Sequence, residues 1–535
     1  MTIRDNLASA IRSAFAQLGI EAPSEVRIDR PARPEHGDWA SNVALAVAAG
    51  SGSNPRALAA SVAELLNAHP PRHVAAVEVA GPGFLNFRLN VSWLHEVLAD
   101  VIAAGTESYA RNQTGESVKV NVEFVSANPT GPLHVGAGRW AAYGDSLCRI
   151  LQWCGYEAHR EYYINDRGTQ TTLFGASLAA ARAGEPIPPD GYQGAYVADW
   201  AAEMPADADP ETWGRDRVLK EIAAVLEQMG VHFDTWFSER SMVANGALRD
   251  TLGDLAARGH TYEADGATWL RTTAAGLGKD EVLVRTNGEA SYYLGDLAYH
   301  RDKFSRGFDH VIDILGADHH GHVARMKTGM ALLGYAGDEL EIVVGQLVTL
   351  VRHGEVVRMG KRSGTFVELA EVLDEVGGDV ARLTFLLQSI DTPQTFDLDA
   401  VVAASMDNPV HYVQYAHARI ASIGRMAHER GIERPDFAAT DLSVLTHPRE
   451  LGLLRCLADL PDVVADAATA RAPHRVATWV RDLASKFHGF YHDCPVLRSD
   501  VDALAVAGRL WLVEGCRVGL AIGLDLLGAA APQSM

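Results

Sequence analysis

The sequence has few cysteines, no excess of positive charge and no long uncharged hydrophobic run. Its five cysteines, at positions 148, 154, 456, 494 and 516, form no C-x-x-C pair. Such a sparse, odd set indicates reduced thiols and excludes a disulfide framework. The N-terminus has no apolar segment behind a basic start, and Asp525 interrupts the apolar C-terminal stretch. We therefore expect a cytoplasmic protein with neither a secretory signal nor a membrane span.

Acidic residues outnumber basic ones by 68 to 47, which gives a formal net charge of −21. This sign argues against a general nucleic-acid coat or a membrane-surface protein, because both usually carry a basic excess. The charge is unevenly distributed: residues 1–115 and 400–535 each carry −2, whereas the middle carries −17. If the two nearly neutral flanking parts bind nucleic acid, binding must rest on local arginine patches and on a fit to the shape of the nucleic acid, and not on bulk charge.

What is present is an ordinary globular composition, with 47% hydrophobic and 21% charged residues over 535 positions. This length predicts more than one domain. The first part, residues 1–112, shows the mixed periodicities of a small α+β domain. Its helices and strands are predicted at 3–18, 26–29, 38–49, 55–68 and 84–89.

The middle part, residues 113–399, opens with a strand, a turn-rich loop, a helix and a second strand. This order is typical of a Rossmann-type parallel sheet, so the predicted fold class is α/β. The predicted elements are strands at 118–124, 158–164, 281–284 and 311–315, a strand-like region at 341–351, a helix at 139–153 and a mostly helical insertion at 180–270. The last part, residues 400–535, is predicted to be an all-α helical bundle.

A His-x-Gly pair, His134 and Gly136, lies between the first strand and the helix that follows. A glycine there lets the backbone approach a flat base, and a helix N-terminus attracts phosphate. His134 is then placed to donate a hydrogen bond to a phosphate that gains charge in a transition state. An isolated pair of this kind is more often a turn glycine and a surface histidine.

Two further segments could contact a nucleotide. Residues 357–364 hold three cations between two glycines, which suits a mobile loop that closes over polyphosphate. Residues 316–322 follow a strand and contain an aspartate that suits a ribose. The same segment supplies four possible metal ligands, namely Asp318, His319, His320 and His322. We favour nucleotide contact, and expect no tightly bound structural metal.

The three segments, in this order, resemble the signatures of class I aminoacyl-tRNA synthetases. Residues 134–137 resemble the HIGH signature, and residues 358–362 resemble the KMSKS loop. More narrowly, the chain is similar to the arginyl-tRNA synthetase family at residues 34–42, 81–86, 122–134, 161–166, 408–419 and 531–535. The chain departs from these signatures in two places. Ala137 replaces the last histidine of HIGH, and in the KMSKS loop Arg358 replaces the first lysine and Gly360 the first serine.

The resemblance implies ATP-dependent ligation of L-arginine to tRNA(Arg), through an arginyl-adenylate, with Mg²⁺ accompanying ATP. The protein is expected to be a monomer without membrane contact. The implied catalytic residues are His134, Gly136 and Lys361. The implied ATP-binding residues are His134, Gly136, Gly316, Asp318, Arg358, Met359 and Lys361. The implied substrate-binding residues are Glu123, Ser126, Asn128, Tyr292 and Asp296.

The resemblance also makes the C-terminal part an anticodon reader, with Tyr412, Tyr415 and Arg419 as the implied tRNA contacts. The N-terminal part would contact the tRNA body. Other functions compatible with the motifs are a small-molecule nucleotidyltransferase or ligase, a metallohydrolase built on residues 318–322, and a non-catalytic tRNA-binding paralogue.

Overall fold

The computed structural model describes residues 3–31, 33–317, 320–357, 367–402 and 408–535. The chain divides into two compact units. The first unit comprises Met1–Tyr109, Ile423–Asp462 and Lys486–Val518, and the second comprises Ala110–Ser422, Val463–Ser485 and Gly519–Met535. The predicted domain boundaries at 112 and 399 stay a prediction.

The N-terminal part of the first unit is an α+β arrangement around an antiparallel sheet with strand order β1-β3-β2. Its elements are α1 (Ile3–Gln17), β1 (Trp39–Ser41), α2 (Val43–Ser51), α3 (Pro55–Ala68), β2 (Val74–Ala80), β3 (Phe84–Leu89) and α4 (Ser92–Ser108). The predicted first helix is confirmed, and Gly19 follows it with a φ of +69°. The predicted helix at 55–68 and strand at 84–89 are also confirmed, with Asn54 capping α3.

Two predictions in this region are wrong. Residues 26–29 form no strand, because only Asp29 pairs with another chain segment, in a single bridge to Ala40. The predicted helix at 38–49 begins later, at Val43, because its first residues form β1 along β3. The lack of a partner strand decided the first case, and pairing with β3 decided the second.

The second unit contains a five-stranded parallel sheet with strand order β11-β10-β4-β5-β6. The sheet and its first crossover helix consist of β4 (Lys119–Glu123), α5 (Val135–Trp153), β5 (Glu157–Ile164), β6 (Thr235–Ser238), β10 (His310–Gly316) and β11 (Leu340–Gly345). The predicted Rossmann-type sheet is confirmed. Ligands of such sheets bind beyond the carboxyl ends of the strands, so this edge positions the site.

The predicted insertion is helical but also contains strands. The elements in and around residues 180–270, apart from β6 of the parallel sheet, are α6 (Thr169–Ala183), α7 (Ala195–Glu203), α8 (Pro210–Gln228), α9 (Glu239–Ala244), α10 (Ala247–Ala257), β7 (Thr261–Ala264), β8 (Ala267–Leu270) and β9 (Glu281–Val284). The predicted strand at 281–284 exists, but it lies in an antiparallel sheet with β7 and β8. Helices α11 (Tyr292–Ser305) and α12 (His320–Leu332) flank β10 in the chain.

A third small sheet and the C-terminal helices complete the chain. They are β12 (Val348–Arg352), β13 (Glu355–Val356), α13 (Leu369–Val376), α14 (Gly378–Leu386), β14 (Gln394–Asp397), α15 (Leu398–Val402), α16 (Pro409–Glu429), α17 (Pro448–Thr469), α18 (His474–Asp493) and α19 (Ala503–Leu526). The predicted all-α C-terminal part is confirmed. Across the described residues, none of the helices combines the length and apolarity that a membrane crossing requires.

A buried carboxylate on α5, Asp145, joins three guanidinium groups in the core of the second unit. Its oxygens accept hydrogen bonds from Arg149 Nε at 2.8 Å, Arg160 Nε at 2.9 Å and Arg382 Nη2 at 2.6 Å. Burial tends to raise the pKa of Asp145, but these guanidinium groups outweigh burial and hold the pKa at about 2. Arg382 is itself fully buried, so each charge depends on the other.

Replacing Asp145 by alanine is expected to destabilise the protein by about 3–5 kcal/mol, because Arg382 would keep a buried charge without a carboxylate. Urea unfolding would measure the loss. Asp525→Asn is the control, since that carboxylate is 65% exposed and should cost no more than about 0.5 kcal/mol. Because its pKa is depressed, the Asp145 contribution should be present above about pH 4 and lost as the pH falls toward about 2. Equal losses in the two variants would contradict this prediction.

Candidate active site

The chain makes a strained turn where β4 ends. Val125 and Ser126 have φ values of +68° and +38°, which non-glycine residues rarely adopt and which often mark functional sites. Ser126 Oγ accepts a hydrogen bond from Tyr163 N at 3.0 Å, which ties the turn to β5. Asn128 Nδ2 donates to Gln170 Oε1 at 2.7 Å. The structure thus places the predicted residues Ser126 and Asn128 at the carboxyl edge of the sheet.

The predicted His-x-Gly pair forms the start of α5. His134 occupies the N-cap position with extended backbone, and its neighbour Val135 N donates to Val367 O at 3.2 Å. A Cβ added to Gly136 would lie 2.9 Å from both Cε1 and Nδ1 of the His134 imidazole. A side chain at position 136 would therefore displace the imidazole from its place against the first turn of the helix.

Helix α11 presents four polar side chains at spacings of one helical face: Tyr292, Asp296, His300 and Lys303. Tyr292 is 72% exposed, and the Arg285 guanidinium lies 5.7 Å from its ring centroid. Asp296 Oδ2 lies 3.3 Å from Nε2 of a histidine on α12, His322. The structure thus brings the predicted pair, Tyr292 and Asp296, onto one helix surface.

Glu123, the last residue of β4, is buried and ion-paired. Its Oε2 lies 2.6 Å from Lys303 Nζ, and the same ammonium lies 2.8 Å from Asp313 Oδ1 on β10. Burial opposes the charge on Lys303, but Asp313 and Glu123 outweigh it and raise the pKa of Lys303. Glu123 is therefore already neutralised by a protein cation, which the sequence did not indicate.

Sequence reasoning missed Glu239, which follows β6 directly and begins α9. Its carboxylate lies near the hydroxyl of Tyr163 on β5, and the two groups influence each other's pKa. The available signal was an acidic residue directly after a strand of the parallel sheet. The four-residue strand Thr235–Ser238 was not recognised, because its surroundings are helical.

Two neighbouring carboxylates, Asp296 and Glu239, have raised pKa values, and we call their surroundings the acidic cleft. Burial, opposed by His300 and reinforced by Glu123 and Glu239, raises the pKa of Asp296 to about 7. The Asp296 side chain as a whole is 37% exposed. Burial also raises the pKa of Glu239, although Arg167 opposes it. Both shifts arise first from burial, and at Asp296 neighbouring carboxylates add to it, so a bound cation would favour the ionised form of Asp296.

The predicted adenosine and phosphate contacts are only partly described. Gly316 ends β10 beside Gly345 of β11. Asp318, Arg358, Met359 and Lys361 lie outside the described residues. Among the described residues there is no group of three His, Cys, Asp or Glu side chains suited to a metal ion.

The predicted tRNA contacts share one face of α16. Arg419 Nη2 lies 2.5 Å from the Tyr415 hydroxyl, and the Arg419 guanidinium lies 4.5 Å from the Tyr415 ring centroid. His411 stacks on the same ring at 6.0 Å and 14°. Tyr412, Tyr415 and Arg419 are half-buried, and they form a surface that combines aromatic rings with a cation.

The chain is similar to known proteins along its whole length. Residues 1–89 match the family "Arginyl tRNA synthetase N terminal domain", residues 98–185 match "tRNA synthetases class I (R), catalytic domain", and residues 413–535 match "DALR anticodon binding domain". The protein named arginine–tRNA ligase from Frankia alni is 46% identical over 551 residues, covering 100% of this chain and 99% of that protein. The chain belongs to the arginyl-tRNA synthetase family.

Other comparisons agree with this membership. The arginine–tRNA ligase of Moorella thermoacetica is 45% identical over 548 residues, covering 99% of this chain and 97% of that protein. The Thermus thermophilus arginyl-tRNA synthetase structure superposes with a TM-score of 0.80 at 25% identity, covering 100% of both chains. The predicted resemblance to the arginyl-tRNA synthetase family is therefore confirmed, whereas the roles of individual site residues stay predictions.

Proposed function

We propose that this protein ligates L-arginine to tRNA(Arg) in two steps, through an arginyl-adenylate. The observation that carries the proposal is the pair of acidic side chains Asp296 on α11 and Glu239 on α9, which lie close enough for the charge of one to raise the pKa of the other. Both carboxylates have raised pKa values, as expected for an arginine site without its cation.

In the proposed complex the guanidinium group binds between Asp296 and Glu239. A guanidinium is planar and offers five N–H donors, so paired carboxylates match it better than a single acceptor does. The exposed ring of Tyr292, one helical turn before Asp296, provides an aromatic face. Glu123 uses one oxygen for Lys303, and its other oxygen is assigned to the α-ammonium group of the substrate.

In the first step the arginine carboxylate oxygen attacks the α-phosphate of ATP, and the bond to the pyrophosphate leaving group breaks. Such phosphoryl-centre chemistry requires positioning and charge neutralisation more than acid–base catalysis. His134 donates a hydrogen bond to the phosphate oxygens, and Lys361 neutralises the departing pyrophosphate. Mg²⁺ enters with ATP. In the second step the arginyl group passes to the 3′ end of tRNA, and AMP leaves.

The proposal is tested by tRNA aminoacylation and by ATP–pyrophosphate exchange with each amino acid, with and without tRNA. We expect arginine alone to be esterified, and we expect exchange to require tRNA, as the family resemblance implies. Exchange with another amino acid would overturn the specificity. Binding of tRNA without ester formation would indicate the non-catalytic paralogue.

Two further controls separate the other functions. The protein is treated with a chelator and then returned to excess Mg²⁺–ATP. Activity should be unchanged, whereas a metallohydrolase would have lost its tightly bound metal and would be inactivated. Omission of tRNA from the assay should abolish product formation, whereas a small-molecule ligase would keep its activity without tRNA.

We assign anticodon recognition to the α16 surface described above. Unpaired bases stack on aromatic rings and on guanidinium planes. The Tyr415–Arg419 pair, with the guanidinium 4.5 Å from the ring centroid, supplies both in one place. The support is this arrangement together with the match of residues 413–535 to an anticodon-binding domain family.

We assign contact with the tRNA body to a groove of about 420 Å³ in the N-terminal part. The groove brings together the two segments singled out in the sequence, 34–42 and 81–86. Phe84 is 38% exposed at the groove, and His36 and Asn86 line it. An exposed ring beside polar side chains suits an unstacked nucleotide.

Replacing Phe84 by alanine should raise the KM for tRNA about tenfold, because stacking of one base on an aromatic ring contributes about 1–3 kcal/mol. The KM values for arginine and ATP should not change. Val91→Ala is the matched control, since Val91 is 43% exposed and does not line the groove. An unchanged tRNA KM in the Phe84 variant would remove the groove from the tRNA interface.

Arginine binding should weaken as the pH falls below about 7, because Asp296, with its pKa raised to about 7, becomes neutral. Because its pKa is raised in the fold, protonated Asp296 stabilises the folded protein without arginine at low pH. This stabilisation is lost as the pH rises through about 7. Arginine should therefore raise the melting temperature more at about pH 8 than at about pH 6. Thermal unfolding with and without arginine measures the effect, and Asp296→Asn should abolish the difference. A shift that is independent of pH in the unaltered protein would contradict the prediction.

We also propose a cytoplasmic monomer. The five cysteines are free and buried, which is compatible with a reducing compartment. Gel filtration with light scattering, at the protein concentration of the activity assay, tests the monomeric state.

A further inference from the structure

Four charged side chains form a buried quartet beneath the acidic cleft: Glu123, His300, Lys303 and Asp313. Glu123 and Asp313 are register partners on the parallel strands β4 and β10. Lys303 Nζ contacts both carboxylates, at 2.6 and 2.8 Å, and His300 Nε2 lies 2.5 Å from Asp313 Oδ2. All four side chains are at most 10% exposed, so water does little to neutralise them.

The hydrogen-bond partners of His300 determine its charge. Its Nδ1 lies 2.7 Å from the backbone carbonyl oxygen of Asp296, which can only accept a hydrogen bond. Its Nε2 faces the carboxylate of Asp313, which Lys303 keeps ionised. A neutral imidazole has one N–H donor, so both contacts are satisfied only when the ring carries two protons. Burial lowers the pKa of His300, but Asp313 outweighs it and raises the pKa.

The quartet is therefore electrically neutral, with two carboxylates, one ammonium and one imidazolium. This leaves Asp296 and Glu239 as the acidic groups of the cleft that the quartet does not neutralise. Within the described residues, the ion pair of Asp296 is with His322 and involves no lysine or arginine. His300 also joins the two sets of groups, since its Nδ1 donates to the backbone of Asp296.

We propose that His300 and Lys303 are positioning residues for arginine selection, which neutralise Glu123 and Asp313 so that Asp296 and Glu239 alone receive the guanidinium. This inference rests on the proposed function. Neither residue contacts the substrate. They act by holding α11 against β4 and β10 and by removing two negative charges from behind the pocket.

Loss of the His300 charge leaves Asp313 partly uncompensated, and Asp313 raises the pKa of Asp296. Asp296 is then less ionised at neutral pH, and arginine binds more weakly. The charged and titratable groups that surround His300 and Asp296 are Glu123 on β4, Glu161 and Tyr163 on β5, Glu239 on α9, Tyr293, Tyr299 and Lys303 on α11, Asp313 on β10 and His322 on α12.

The kinetic test compares three variants. They are His300→Gln, the charge-balanced double variant His300→Gln/Asp313→Asn, and the control His310→Gln, which changes the first residue of β10. In tRNA charging, His300→Gln should raise the KM for arginine about tenfold, which corresponds to about 1.4 kcal/mol. Its kcat and its KM for ATP should not change, and the pH midpoint for arginine use should move upward. The double variant should restore the KM because the remaining Glu123–Lys303 pair is neutral. A purely structural role would predict a double variant at least as impaired as the single one.

The second test uses ¹⁵N-labelled histidine NMR on the full chain and is independent of activity. The His300 signals are identified by their loss in His300→Gln or, if that variant does not fold, by their shift in Asp313→Asn. Both ring nitrogens should carry protons at about pH 7.5, above the ordinary histidine pKa of about 6.5. A neutral ring at that pH would overturn the inference.

The two proposals fail in distinguishable ways. If the unaltered protein charges no tRNA with arginine, the proposed function fails, and the inference fails with it. If the unaltered protein charges tRNA but the His300 variant keeps its arginine KM, only the inference fails. If the double variant does not restore the KM for arginine, again only the inference fails.

Discussion

Replacing Asp296 by asparagine is expected to lower kcat/KM for arginine about a hundred- to a thousandfold. Removing one partner of a desolvated, hydrogen-bonded charge pair costs about 2–5 kcal/mol, and each factor of ten corresponds to about 1.4 kcal/mol. Asparagine keeps the shape of the side chain but replaces one acceptor oxygen by a donor amide, which opposes an N–H group of the guanidinium. Most of the loss should appear in the KM for arginine.

The change also predicts altered discrimination between substrates. Citrulline has the shape of arginine but carries a neutral carbonyl group, which a carboxylate rejects. With asparagine at position 296 the ratio of arginine to citrulline use should fall, because the pocket would have lost one of its two proposed guanidinium acceptors.

The control for this prediction is Asp250→Asn on the neighbouring helix α10, where the carboxylate is 54% exposed. It should leave kcat/KM within about twofold of the unaltered value. Aminoacylation at saturating ATP and tRNA, with arginine varied, measures both variants. A normal KM for arginine in Asp296→Asn would mean that the guanidinium binds elsewhere, and Glu239→Gln would then be the next variant to examine.

Replacing Gly136 by alanine should lower kcat about a hundredfold while leaving the fold intact. The new Cβ would lie 2.9 Å from two atoms of the His134 imidazole, so the ring has to move away from its position at the start of α5. Loss of one preorganised donor to a transition-state oxyanion costs about 10²- to 10³-fold in kcat. Single-turnover formation of the adenylate in the presence of tRNA isolates this step.

Gly253→Ala is the matched control, because that glycine lies inside α10 and a Cβ there meets nothing within 4 Å. It should not reduce activity, and it should stabilise α10 by about 0.5–1 kcal/mol. His134→Ala supplies a second comparison. If Gly136→Ala acts through the imidazole, combining the two changes should add little to the loss from His134→Ala. Multiplicative losses would show that the glycine has a role of its own, such as close approach to the adenine.

The parts of the site that sequence could predict are those formed by continuous stretches of chain. His134 and Gly136 share one turn, so a short motif specifies their arrangement completely. Tyr292 and Asp296 are four residues apart on α11 and necessarily lie on one side of the helix. The predicted helix at 55–68 is confirmed, and its start is marked by local features, an N-cap asparagine followed by a proline.

The predictions that failed concern pairings across the chain. Residues 26–29 had the composition of a strand but found no partner strand. Trp39–Ser41 was assigned to a helix, and pairing with β3 made it a strand. Glu239 was missed because β6 is short and its place in the sheet depends on β5.

By itself, the sequence determined the family, the Rossmann-type class of the sheet and the places of the signature motifs, since each of these rests on continuous stretches of chain. Only the tertiary structure decided which carboxylates remain available for a guanidinium. Lys303 lies 180 positions from Glu123 in the chain, yet their charged atoms are 2.6 Å apart. Charge compensation depends on distance in space and on exclusion of water, and neither quantity can be read from sequence spacing.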